Sequence, residues 1–159
     1  VDPPIIKQKN IFTVNINRDG RLLVEDELTD IKDLKSRAVA FLDNGGAANG
    51  TEDYCNYCQG KRDESSSDNP NKAIISLKND RETKYNIYIT VQNEIVGAYN
   101  ELRNREAQRL YKRNFTEMEA EYSNQETPDE RKEVLKERIK RIQELFPQKF
   151  SEAETSTGN

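Results

Sequence analysis

The stretch that decides the fold is Lys72-Ala-Ile-Ile-Ser-Leu-Lys-Asn-Asp-Arg-Glu-Thr-Lys-Tyr85. Ala73, Ile75 and Leu77 place apolar side chains at every second position, which predicts a β-strand with one buried face. The polar pair Asn79-Asp80 ends this strand, and a helix is predicted to begin near Thr83 or Lys84. Its apolar face, at helical spacing, comprises Tyr88, Val91, Ile95, Ala98, Tyr99 and Leu102.

Upstream of this stretch the sequence predicts a β-hairpin over residues 11–25, in Phe12-Thr-Val-Asn-Ile-Asn-Arg-Asp-Gly-Arg-Leu-Leu-Val24. The turn at Asn17-Arg18-Asp19-Gly20 combines a glycine, which tolerates positive φ, with an Asp that bonds its own backbone. A helix then begins after Asp30, a good N-cap residue. Asn44-Gly45-Gly46 ends that helix.

Downstream the chain predicts an insertion and an extension. Residues 45–71 are rich in Gly, Asn, Ser and Asp and predict a long surface loop without periodicity. Residues 103–146 predict further helices, either one long helix or two with a joint, and then a helix whose start at Thr127-Pro128-Asp129-Glu130 has the pattern of a capping box. The segment 149–153 predicts a closing strand.

These elements indicate one α+β domain with two layers, in which helices pack on one face of a small mixed β-sheet and extra helices follow toward the C-terminus. We expect residues 1–10 to be a linker, residues 11–153 the domain, and residues 154–159 a tail. The opening Val1-Asp2-Pro3-Pro4 has the composition of a linker.

Composition limits the function. Hydrophobic residues make up 33% of the chain and charged residues 34%, with a net charge of −4 and both signs interspersed. The absence of a basic block argues against nucleic-acid binding and against a polybasic membrane patch. No apolar run approaches the roughly 20 residues that span a bilayer.

The sequence predicts no catalytic, cofactor-binding or metal site. It contains no His, and its two Cys residues, Cys55 and Cys58, supply only two of the four ligands of a structural zinc site. A local disulfide is the preferred interpretation of this pair, with inert thiols or a metal or redox role as alternatives. Asp80 ends a strand, but no second tunable group accompanies it, so we expect it to turn the chain into the helix rather than to catalyse.

The strand–helix corner at Ser76, Leu77, Asn79, Asp80 and Tyr85 resembles the periplasmic domain of the ExbD/TolR family. There the third strand ends in a similar polar Asp corner, and a Tyr opens the second helix. The hairpin over residues 11–25 and the helix after Asp30 continue the resemblance, which covers residues 11 to about 102. The loop at 45–71 and the helices at 103–146 depart from it and indicate a long form.

The resemblance implies a non-enzymatic role without cofactors. ExbD-like subunits dimerise within an ExbB assembly, couple the proton motive force across the bacterial inner membrane to TonB, and so drive transport through outer-membrane receptors. The domain would face the periplasm, anchored by a transmembrane helix outside this chain that carries the proton-binding Asp. We expect partner strands to pair with a sheet edge, and the segment Ile5, Ile6, Ile11 and Phe12 to pair with a neighbouring sheet. The alternatives are cell-wall anchoring of the TolR/MotB kind and a non-motor extracytoplasmic scaffold.

Overall fold

The computed structural model describes residues 5–155 and has one sheet with helices against it. Its strands are β1 (Ile11–Ile16), β2 (Leu22–Val24), β3 (Glu27–Thr29), β4 (Ile74–Asp80) and β5 (Phe150–Thr155). Its α-helices are α1 (Ile31–Leu42), α2 (Tyr85–Tyr111), α3 (Phe115–Ser123) and α4 (Asp129–Leu145), and a short 3-10 turn spans Gln8–Asn10. The predicted α+β class is confirmed.

The sheet has the order β3-β2-β1-β4-β5. Its first three strands are antiparallel neighbours, whereas β4 runs parallel to β1 and β5 runs parallel to β4. In β1 the side chains of Phe12, Val14 and Ile16 are buried and alternate with half-buried ones. The buried set joins Leu34 of α1 and Ile95 of α2 in the main core, so the helices cover one face of the sheet as the sequence predicts.

The hairpin continues into a third strand that the sequence analysis missed. Glu25 and Asp26 adopt positive φ values of 50° and 65° and form the two-residue turn between β2 and β3. β3 is only three residues long and lies at the exposed edge of the sheet. Such a strand shows no alternation of buried and exposed residues, which explains why its sequence carries no signal.

The segment 45–71 has no helix or strand, but it is not the simple surface loop that we expected. Cys55, Cys58, Ser67 and Asp68 are all buried. The Asn44 side-chain amide donates to the Ser67 carbonyl oxygen at 2.7 Å, and the Ser67 hydroxyl donates to a carbonyl oxygen of α1. Side-chain hydrogen bonds, together with backbone bonds such as that from the Gly46 N–H to the Ser67 carbonyl oxygen at 2.8 Å, therefore satisfy this backbone without a regular ladder.

The N-terminal linker is shorter than predicted. Val1–Pro4 lie outside the described residues, while Asn10 is buried and its side chain accepts a hydrogen bond from the Asp68 backbone at 2.8 Å. The Lys9 ammonium lies 2.7 Å from the Asp68 carboxylate. The domain thus begins at about residue 8. At the other end Glu154 and Thr155 belong to β5, and the rest of the predicted tail, residues 156–159, lies outside the described part of the chain.

The helical extension has a joint and a core of its own. α2 ends at Tyr111, the next residue, Lys112, adopts a left-handed conformation, and α3 begins at Phe115. Glu121 of α3 accepts hydrogen bonds from Arg131 of α4, at 2.8 Å, and from Arg113. These two guanidinium groups lower the pKa of Glu121 to about 2. The buried residues of this second core are Ala107, Phe115, Met118, Leu135 and Ile142.

The predicted capping box at the start of α4 is wrong in its bonding, although the helix itself is present. The helix begins at Asp129, with Pro128 preceding it, and no side chain caps it. The Thr127 hydroxyl instead donates to the Glu121 carbonyl oxygen at 2.7 Å. The Thr127 hydroxyl therefore bonds to the end of α3 and does not cap the N-terminus of α4.

Candidate functional site

The corner between β4 and α2 is held by its own hydrogen bonds. Asp80 is 2% exposed, and its carboxylate accepts the Glu82 backbone N–H at 2.9 Å. Its carbonyl oxygen accepts the Thr83 N–H at 2.9 Å, and the Thr83 hydroxyl donates to the Asn17 carbonyl oxygen at 3.0 Å. Asp80 thus turns the chain into α2 and ties this corner to the β1–β2 hairpin.

The five corner residues singled out from the sequence are not gathered into one site. The Leu77 side chain is fully buried in the main core, and Ser76 is half-buried on the opposite face of the sheet. Asn79 and Tyr85 line a surface cavity instead, and Tyr85 is 76% exposed. The corner therefore combines structural residues with two that can contact a partner.

This cavity, of about 450 Å³, lies between the start of α2 and the end of β5. Tyr85 and Tyr88 stand on its helix side, with ring centroids 6.5 Å apart. Glu152 and Glu154 of β5 line it from the other side, and Arg81 also borders it. The arrangement offers aromatic faces and carboxylates to a bound side chain.

β5 is an open edge of the sheet. The Ile75 N–H donates to the Lys149 carbonyl oxygen at 2.9 Å, and the Arg81 N–H donates to the Thr155 carbonyl oxygen at 2.8 Å. In a regular parallel ladder these two bonds place the backbone groups of every second residue, Lys149 to Thr155, toward β4. The residues between them, Phe150, Glu152 and Glu154, consequently direct their N–H and C=O groups away from the sheet.

The sequence predicted the closing strand but not that it is an edge. Strand order depends on crossovers through α2 to α4, and no local pattern in residues 149–155 reveals which neighbour the strand takes. The charged residues at alternate positions, Glu152 and Glu154, are the one available signal, because edge strands are commonly charged.

The predicted strand-pairing segment at the N-terminus is divided by the structure. Ile5 and Ile6 are exposed, by 92% and 56%, and remain available for contact. Ile11 and Phe12 belong to β1, where they pair with Ile74 and Ile75 of β4. Phe12 is buried against Phe41, so the expectation that it pairs with a neighbouring sheet is wrong.

Cys55 and Cys58 are joined by a disulfide, both are buried, and neither is free for thiol chemistry. The Tyr57 ring between them packs edge-on against Phe146, at 5.5 Å between centroids, and its hydroxyl donates to the Leu145 carbonyl oxygen. Burial raises the pKa of Tyr57 to about 12, so this donor stays protonated. The cysteine segment therefore fastens the loop to the end of α4.

The fold and this site define a single-domain α+β protein with an open parallel edge strand and an aromatic, acidic cavity beside it. No family model matches the chain, and neither does any curated protein. Within residues 5–155 no helix combines the length and the apolar character that crossing a membrane requires. No group of three or more His, Cys, Asp or Glu side chains in the same range could hold a metal ion.

Proposed function

We propose that this chain is the periplasmic domain of an ExbD-like subunit, which couples the proton motive force across the inner membrane to a TonB-like protein. The observation that carries the proposal is the strand–helix corner. A strand ending at Asp80, a tight polar turn and a helix opening at Tyr85 follow the order that the resemblance implies, after the β1–β2 hairpin and α1. The role is non-enzymatic, since it consists of binding and of transmitting motion.

The disulfide supports an extracytoplasmic location. Disulfides persist in oxidising compartments such as the bacterial periplasm and are rare in the cytosol. The bond between Cys55 and Cys58 is consistent with a periplasm-facing domain. In the proposed arrangement a transmembrane helix upstream of Val1 anchors the domain, and ExbB-like subunits surround that helix.

The open edge of β5 supports a route by which the domain engages its partner. An extended segment can add to a sheet edge through main-chain hydrogen bonds, and pockets for alternate side chains then give specificity. β5 offers both features, since its outer backbone groups face away from β4 and the cavity lies beside Glu152. The exposed Ile5 and Ile6 provide a separate apolar contact for a homodimer of the full-length protein.

The proposal is tested first on the intact protein purified from membranes. An upstream apolar stretch of about 20 residues interrupted by one Asp, together with co-purification of ExbB-like and TonB-like proteins, is the expected result. A cleaved signal sequence with no such stretch would contradict the proposal. Co-sedimentation with purified peptidoglycan, without TonB binding, would instead favour the cell-wall anchoring of TolR and MotB.

The contact itself is tested by amide exchange on the isotopically labelled domain with the TonB-like periplasmic segment. The N–H groups of Phe150, Glu152 and Glu154 should become protected. A matched pair of variants sharpens the assay. Glu152→Pro removes an outward N–H that makes no ladder bond to β4 and should weaken binding. Glu52→Pro, which removes an exposed glutamate at the second position of the turn closed by the Tyr54 N–H and the Thr51 carbonyl oxygen, should not. Perturbation confined to loops would refute strand addition.

A further inference from the structure

We propose that the segment that pairs with β5 carries basic residues at alternate positions, where they form ion pairs with Glu152 and Glu154. This inference rests on the proposed function, because it names the chemistry of the partner segment at the same edge. The side chains of Glu152 and Glu154 share one face of β5, and the neighbouring cavity contains tyrosine rings beside these carboxylates. Pairing of β5 with a second copy of itself would bring like charges together.

The side chains of Glu152 and Glu154 lie on the helix-covered side of the sheet. Glu152 accepts a hydrogen bond from the Gln92 side chain of α2 at 2.9 Å, and residues two apart on a strand share a face. Both are exposed, and both line the cavity with Tyr85 and Tyr88. Among the residues that the structure describes, neither carboxylate forms an ion pair.

A partner strand antiparallel to β5 brings its own side chains to these carboxylates. The outward N–H and C=O groups of Glu152 and Glu154 make each of them a hydrogen-bonded pair with the partner residue directly opposite. Residues directly opposite share a face and have Cβ atoms about 4.5–5.5 Å apart, so opposite charges attract and like charges repel there. Lys or Arg side chains at two alternate positions of the partner thus meet the two carboxylates.

The cavity favours a cation on its aromatic side as well. Lys and Arg head groups bind the faces of tyrosine rings, and Tyr85 and Tyr88 border the same space as the carboxylates. Arg81 also borders the cavity and opposes this attraction, but two carboxylates outweigh one guanidinium. The local charge is therefore complementary to a basic strand.

The same two residues disfavour a second copy of this chain as the occupant. Consider β5 paired antiparallel with β5 of a second copy, with the helices of both copies on the same side of the joined sheet. The residues whose backbone groups face outward have even numbers, so each of them lies opposite an even-numbered residue of the other copy. The two registers with the greatest overlap place Glu152 opposite Glu152 or opposite Glu154. Like charges directly opposite destabilise such a pair, so the edge selects a different, basic strand.

The test uses two synthetic extended peptides that differ only at two alternate positions, occupied by Lys in one and by Glu in the other. Binding to the whole chain is followed by chemical shift and amide protection in β5. Two cross-strand charge pairs favour the Lys peptide by about 2- to 30-fold relative to alanine at both positions, and repulsion of the Glu peptide adds to this difference, so we expect a preference for Lys of at least that size. The preference should shrink as salt is raised from low to about 1 M, because screening acts on exposed pairs.

Variants separate the two carboxylates from the overall charge of the chain. In E152K/E154K the preference should reverse in favour of the Glu peptide. The matched control E133K/E137K makes the same change on exposed positions of α4 and should keep the preference for Lys. Circular dichroism and thermal unfolding show whether each variant is folded.

The outcomes separate this inference from the proposed function. Equal protection of Phe150, Glu152 and Glu154 by both peptides would overturn the inference while leaving strand addition intact. An equal loss of preference in E133K/E137K would also overturn it, since net charge alone would then explain the effect. Protection by neither the peptides nor the TonB-like segment would overturn the use of this edge altogether.

Discussion

Replacing Arg105 by Met should cost this fold more than any change to a surface charge. The Arg105 guanidinium contacts both carboxylate oxygens of Asp43, at 2.7 and 2.9 Å, and one oxygen of Glu106 at 3.1 Å. It also donates to the Tyr57 carbonyl oxygen at 3.3 Å. One side chain of α2 thus joins the end of α1 to the loop that contains the disulfide.

The expected loss of stability follows from how deeply Asp43 and Glu106, the partners of Arg105, are buried. Glu106 is 0% exposed and Asp43 is 6% exposed, whereas 26% of the Arg105 side chain is exposed. Removing one member of a buried pair typically costs about 3–5 kcal/mol, because a charge is left uncompensated. Arg109 remains 2.6 Å from Glu106, so we expect the lower end, about 3 kcal/mol. For a domain of this length that corresponds to about 6–12 °C in Tm.

Urea and thermal unfolding of R105M, D43N and the double variant measure this effect. R141M, which removes an equal charge from an exposed position of α4, should stay within about 0.5 kcal/mol of the parent chain. The losses from R105M and D43N should be non-additive by about 1–3 kcal/mol. Strictly additive losses, or an R105M variant as stable as R141M, would refute the assignment of Arg105 as the link.

Three further predictions concern other interactions that stabilise the fold. Because its two arginines lower the pKa of Glu121 to about 2 from 4.5, its contribution to stability is present above pH 4.5 and is lost as the pH falls toward 2. The Tm of E121Q should therefore depend less on pH over that range, and an unchanged profile would contradict the pairing. Reducing the Cys55–Cys58 disulfide should lower the free energy of unfolding by about 2 kcal/mol, because the bond closes only a short loop and so restricts the unfolded chain only modestly. Urea unfolding with and without dithiothreitol measures this difference. Asp68→Ala leaves the buried amide of Asn10 without its acceptor and should cost about 1–3 kcal/mol, with faster amide exchange at residues 8–10 than in Asp63→Ala, an exposed control.

The elements of the fold that the sequence predicted are those with a local pattern. The alternation in β1 and β4 and the helical spacing in α2 each arise from one element burying one face. Asp30 occupies the N-cap position of α1, as the sequence predicted. β3 escaped prediction because it is three residues long and buries none of them fully. The buried parts of the 45–71 segment escaped because polar residues such as Ser67 are buried there by distant hydrogen bonds, which no local spacing reveals.

The candidate site was predictable only in part, for a related reason. The Asp80 corner is local, so its turn could be inferred from the polar pair that ends the strand. The cavity is non-local, since Tyr85 opens α2 while Glu154 lies about 70 residues further along the chain. What brings them together is the parallel return of β5 beside β4. Only the strand order shows that Glu154 belongs to an edge.

The charged residues discussed above fall into two groups, those paired within the fold and those on the edge strand β5. Arg105, Glu106 and Glu121 lie among helices and have partners in the fold, where their loss leaves a charge unpaired. Glu152 and Glu154 lie on an open strand and, within residues 5–155, have no ion-pair partner. The ion pairs of the first group stabilise the 45–71 segment and the helical extension. Within residues 5–155 no strand pairs with the outer edge of β5, and that edge is the surface on which the proposed function depends.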